Sequence, residues 1–202
     1  MELERPTTPE TPLARLTRWV LILGALYSLY LVLHPFTPLA RAEIPILDIV
    51  QLQRSTHVLF LLLGGYLVSF YLPRKRTLGA WIYALFTLVP LYNFLFPSVP
   101  GVSLPWEAKA VGLLYWGVAV LPALLPGLKR PADLLAVLLA LFPTLYQLRY
   151  FEELVYRAVL PQPWDMAMSF GLIMLVLGLV YRLLGPVMPF LVLFFFSRSE
   201  ER

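Results

Sequence analysis

Apolar runs of about bilayer thickness dominate this sequence, and that pattern limits the folds open to it. A helix rises 1.5 Å per residue, so about 20 apolar residues cross ~30 Å of hydrocarbon. Runs of this kind appear at Trp19–Leu33, His57–Leu72, Gly79–Phe96, Ala108–Leu125, Ala132–Leu148 and Met166–Leu184, separated by charged or proline-bearing segments. Backbone polar groups in lipid must be satisfied within the chain, which helices achieve locally. The expected fold class is therefore all-α: a polytopic integral membrane helix bundle of about six transmembrane helices. Val187–Phe196 is apolar but too short to cross as a helix, and counts as a partial seventh.

Composition supports the same class. Hydrophobic residues make up 59% of the 202 and charged residues 14%, against about 25% charged in soluble domains. With no cysteine, there is no disulfide framework and no thiolate or Cys-based metal chemistry. The net charge of +4 lies at segment ends and not in a stripe, which argues against nucleic-acid binding. The domain layout reads as a disordered polar tail over 1–16, a transmembrane helical domain over 17–197 and a polar tail over 198–202. Ala40-Arg41-Ala42 resembles a signal-peptidase site, but the acidic start of the chain favours an uncleaved first span. Pro35–Ser55 mixes Arg41, Glu43, Asp48 and Arg54 with Ile and Leu, the pattern of an amphipathic helix lying at the interface.

Lysine and arginine bias sets the orientation. One side holds Arg5, Arg15, Arg18, Arg74, Lys75, Arg76, Lys129, Arg130 and Arg182; the other holds Arg41, Arg54, Lys109, Arg149 and Arg157. The richer side is expected to be cytoplasmic, with both termini on it. The implied location is a membrane, crossed several times.

Candidate chemistry is sparse. No Asp, Glu, Lys or Arg falls near the middle of a run, and Asp133 and Arg182 sit near run ends, where water is expected to reach them. Proton and ion pathways usually need intramembrane ionisable groups, so the chain by itself is not expected to conduct or couple. His57, at the head of the second run, reads as an interfacial or capping histidine. Asn93 and Gln147 read as hydrogen-bonding partners for neighbouring helices. Pro90, Pro122 and Pro143 read as kinks in packed helices, with broken helices at a binding site as the alternative. The pairs Gly24/Ser28 and Gly65/Ser69 suit close helix approach. No GxxxxGK[ST] loop is present.

Glu152-Glu153-Leu154-Val155-Tyr156-Arg157 fits the EExxxR pattern of the intramembrane CAAX-type proteases. Those enzymes resemble one another in later histidines, whereas here His34 and His57 both precede the glutamates. An acid/base site needs its partners within reach, so no catalytic residue, cofactor or metal ligand is assigned and the chain is not expected to be an enzyme. A protease-like protein and an orphan structural membrane protein stand as the alternatives.

The most distinctive local text runs from Arg149 to Asp165. Leu154, Arg157, Pro161 and Asp165 fall in register with a Tyr-x-x-Leu-x-x-Arg-x-Gly-x-Pro-x-x-x-Asp stretch, with Phe151 at the tyrosine position and Val159 at the glycine. Gln53-Arg54-Ser55-Thr56-His57 heads an apolar run, and Arg182 is followed by Gly185. In these pieces the chain resembles the N-terminal part of the fused permeases of TAXI-type TRAP transporters, which are secondary transporters fed by a periplasmic binding protein. The resemblance implies a free-standing small permease component, a non-catalytic scaffold beside a large permease subunit on another chain, serving uptake of an organic acid. It implies two protein partners, that large subunit and a periplasmic substrate-binding protein. Arg41, Asp48, Arg54, Glu152, Glu153, Arg157 and Asp165 are the expected partner contacts, on the outward side. The hairpin Gly79–Leu125 is extra relative to the family pattern.

Overall fold

The computed structural model describes residues 11–34, 50–73, 78–97, 103–157 and 160–189. The described residues are mostly helical, with no strand among them. The elements are α1 (Pro12–Leu33), α2 (Val50–Tyr71), α3 (Leu78–Leu95), α4 (Trp106–Leu124), α5 (Lys129–Arg149), the short α6 (Phe151–Tyr156) and α7 (Pro163–Leu184). A 3₁₀ turn, Pro126–Leu128, links α4 to α5. Among the described residues, five helices are long and apolar enough to cross a membrane: α1, α3, α4, α7 and α5 together with the turn that precedes it. The sixth long helix, α2, is less apolar because Gln51, Gln53, Arg54, Ser55, Thr56 and His57 occupy its first turns.

Helix ends follow local chemistry more closely than hydropathy. α1 begins at Pro12, inside the stretch expected to be a disordered tail. Thr11 accepts a hydrogen bond from the Ala14 amide (3.3 Å), and Pro12 at the first helical position has no amide to leave unpaired. α2 begins at Val50, so the last residues of the expected interfacial segment are the first turns of a long helix. Leu52 and Ser55 are buried there. The remainder of that segment, Pro35–Ile49, lies outside the described residues, as does most of Val187–Phe196. α7 opens on a reciprocal cap between Gln162 and Asp165 with Pro163 behind it, and ends at Gly185, whose φ of +83° favours glycine. Pro90, Pro122 and Pro143 lie inside α3, α4 and α5, and each helix runs unbroken through its proline. These are packed helices and not interrupted ones.

The helices form one bundle whose most extensive contacts join α4 to α7 and α2 to α5. Consecutive long helices alternate in direction. One end of the bundle therefore gathers the starts of α1, α3 and α5 and the ends of α2, α4 and α7; we call it the basic end. Hydrogen bonds from buried hydroxyls to carbonyls on other helices pin the layers: Tyr66 to Leu175 O (2.7 Å) and Tyr115 to Leu139 O (3.0 Å). The Trp116 indole donates to Thr87 Oγ1 at 3.2 Å. Such bonds hold apolar helices together where burial from water gives little between them. Asn93, expected in this role, is instead exposed near the end of α3.

The two small-residue pairs are used within the chain. Gly24 lies against Phe60 Cβ and Gly64 under Leu21, which seats α1 on α2. Gly65 takes the Leu179 side chain of α7. α1 is otherwise peripheral, with Thr17 its buried residue.

The tightest approach is at Gly112 of α4. A Cβ there would run into the Phe94 ring, which stacks on Phe170 at 4.3 Å and so cannot retreat. Gly112→Ala should therefore cost about 1–3 kcal/mol by overpacking. Gly127→Ala, where a Cβ meets nothing within 4 Å, should stay within about 0.5 kcal/mol of the parent. Thermal melts in mild detergent check both, and equal losses would show that the α3–α4–α7 contact is misdescribed.

Candidate functional site

The richest chemistry lies at the basic end, in residues from four helices. Lys129 and Asp133 sit one turn apart at the start of α5, which puts them on one face. Local energetics do not favour this arrangement. A lysine at a helix start opposes the helix dipole, and Lys preceding an acid is the weaker order. Tertiary partners supply what the helix does not. Asp133 Oδ2 is 3.0 Å from Lys129 Nζ and accepts from Ser69 Oγ of α2, also at 3.0 Å. Lys129 Nζ also donates to the Ser69 carbonyl.

Arg182, in the last turn of α7, completes the cluster. Its Nε lies 2.8 Å from Asp133 Oδ1, an ion pair outside hydrogen-bond geometry, so charge holds that contact. Its Nη2 donates to the Val118 carbonyl of α4 (2.7 Å) and its Nη1 to the Tyr66 hydroxyl (3.3 Å). The guanidinium also lies 4.8 Å from the centroid of the Tyr66 ring. Gly178, one turn earlier, makes room: a Cβ there would stand 2.8 Å from Nη1 and 3.0 Å from the Ala119 backbone.

This corrects an expectation. Asp133 and Arg182 do lie near helix ends, but water does not reach them: Asp133 is 0% exposed, Lys129 5% and Arg182 9%. The ends of α2, α4 and α7 crowd around the start of α5, and the three charges solvate one another. The hint in the sequence was the four-residue Lys129–Asp133 spacing with one more cation late in the last span.

The second cluster lies at the opposite end, in the stretch that carries the family resemblance. Glu152 and Glu153 are exposed on α6. Arg157 pairs with Glu153 at 3.0 Å and approaches Asp165 at 3.9 Å. Asp165 also accepts from the Gln162 amide (2.8 Å) and from the Tyr146 hydroxyl of α5, and is 6% exposed. Asp165, expected to face outward, thus braces its own rim. Arg54 is exposed in the first turns of α2, and a cleft of about 360 Å³ between Leu52 and α6 brings those turns beside Glu152 and Glu153. Arg41 and Asp48 lie outside the described residues.

His57 Nδ1 stands 3.4 Å from Ser28 Oγ, at the α1–α2 seam. Among the described residues, no group of three His, Asp or Glu side chains could hold a metal ion. No protein-family model matches the chain, and neither a curated protein nor a solved structure is significantly similar to it.

Removing one partner of a buried ion pair strands the others. Asp133→Asn should leave Lys129 and Arg182 without a countercharge and cost about 3–5 kcal/mol. Glu153→Gln breaks an exposed pair and should cost no more than about 1 kcal/mol. Melting temperatures in the same detergent test the contrast, and a fully stable Asp133→Asn protein would remove the cluster from its structural role.

Proposed function

We propose that the chain is a multi-pass protein of a bacterial cytoplasmic membrane, with six spans and both termini in the cytoplasm. In it the chain serves as the small, non-catalytic permease subunit of a TRAP-type secondary transporter. It holds a large permease subunit, encoded separately, in place for uptake of an organic acid delivered by a periplasmic binding protein. The five long apolar helices support the membrane part, and α2, packed among α1, α5 and α7, makes the sixth span. The basic end faces the cytoplasm, following the lysine and arginine bias.

One observation carries the transporter reading. Arg157 and Asp165, the two charged positions of the TRAP-like stretch, lie eight residues apart and meet in the folded chain, 3.9 Å apart, bracing α6 against the start of α7. Spacing that looks arbitrary in the sequence is what this rim requires. The non-catalytic part rests on the basic-end cluster. Its charges are spent on one another and on backbone carbonyls, which suits a rigid body better than a carrier that must bind and release. Glu152, Glu153 and Arg54 remain exposed at the outer end and are the contacts we assign to the partners.

Affinity purification of the full chain from its native membrane in mild detergent tests this. A large polytopic subunit should co-purify, and should still do so when Glu152 and Glu153 are both replaced by Gln, although binding-protein-dependent uptake should fall. Absence of any such partner would overturn the scaffold role. Cleavage of a membrane peptide that is lost in the same double variant would replace it with a hydrolase.

A further inference from the structure

α1 and α7 both pack on α2 but make no extensive contact with each other among the described residues. Glycines set their seats on α2: Gly64 lies under Leu21 of α1, and Gly65 takes Leu179 of α7. Two helices held against a third, and apart from one another, leave a groove between them. Its volume is about 610 Å³, with Ala25 of α1 on one wall and Val176 and Leu183 of α7 on the other. The floor is α2 from His57 to Val68. At 1.5 Å per residue that stretch spans about 16 Å, close to half of the ~30 Å of hydrocarbon that two opposed acyl chains fill.

The lining is apolar except toward the outer end, where His57 and Ser28 face each other across the α1–α2 seam. Ser28 Oγ donates its hydrogen to the Gly24 carbonyl, one turn back, at 2.8 Å. Only a protonated Nδ1 then makes the 3.4 Å approach of His57 to Ser28 Oγ an attractive contact. In the neutral ring this leaves Nε2 as a bare acceptor, and no described residue bonds it. A polar atom beside apolar walls gains most from a ligand that donates to it.

We infer that the groove binds a long-chain fatty acid, with its carboxyl on His57 and its alkyl chain along α2 toward Val68. A carboxyl suits either state of the ring. As the acid it donates its O–H to the bare Nε2; with that proton moved across, the carboxylate accepts from the imidazolium. An ester carries acceptors alone and finds no donor at a neutral Nε2. The floor has the length of one chain, and the chain supplies between α1 and α7 the packing that the two helices do not give each other. The inference rests on the membrane reading above, since a fatty-acid carboxyl in a bilayer lies toward the water, but not on the transporter role.

The test uses the full chain, purified in mild detergent and offered palmitic acid, methyl palmitate or hexadecanol, with retained ligand counted by native mass spectrometry. Palmitic acid should be retained roughly ten-fold over methyl palmitate, as one hydrogen bond to a charged group provides. His57→Leu should abolish that preference. Ala25→Phe, at an exposed position of α1, should fill the groove and lower the retention of palmitic acid several-fold without disturbing the core. Equal retention of acid and ester, an unchanged preference in His57→Leu, or hexadecanol held as well as the acid would overturn the site. Liposome flotation separates the failures: a chain that does not float sinks the membrane reading as well, whereas a floating chain with no preference for the acid sinks this inference alone.

Discussion

One carboxylate holds the basic end of this bundle together. Asp133 receives Lys129 from its own helix, Ser69 from α2 and Arg182 from α7, and Arg182 reaches on to a carbonyl of α4. Four helices are thus tied through three side-chain charges. In lipid, apolar helix faces gain little by leaving one apolar surface for another, so polar contacts and close fit must fix which helices meet. The cluster supplies direction as well as attraction. A helix shifted by one turn would leave a buried charge alone, at several kcal/mol.

Fit does the rest away from the cluster. Gly112 admits the Phe94 ring, Gly65 admits Leu179, and Gly178 clears the path of Arg182. Glycine is a poor helix former in water, yet here it stands where two helices must touch. The prolines are similarly absorbed: Pro122 and Pro143 are buried in helices that continue past them. The outer end works differently. Its charges pair at the surface, Asp165 caps a helix, and Glu152 and Glu153 are left outward. The basic end is closed by buried pairs, whereas the outer rim leaves two carboxylates exposed.

The long helices were legible because hydropathy over about 20 residues is a local property, and apolar runs of that length predict their own secondary structure. Their starts were less so. Pro12 and Val50 begin helices within polar text, because a cap at Thr11 and burial of Leu52 and Ser55 extend the helices beyond the apolar core. The candidate site divides in the same way. Arg157 and Asp165 could be picked out from the pattern of the stretch, but not the way Asp165 turns inward to its own helix start.

By itself the sequence determined the class of the fold, the rough number and place of its helices, and the charge bias between the two ends. Each follows from residues close together in the chain. The tertiary structure decided which charges are solvated by water and which by one another. Lys129 and Asp133 look like an ordinary surface pair until Arg182, 49 residues after Asp133, arrives beside them. Burial and pairing depend on helices far apart in sequence, and no local pattern records which of them will meet.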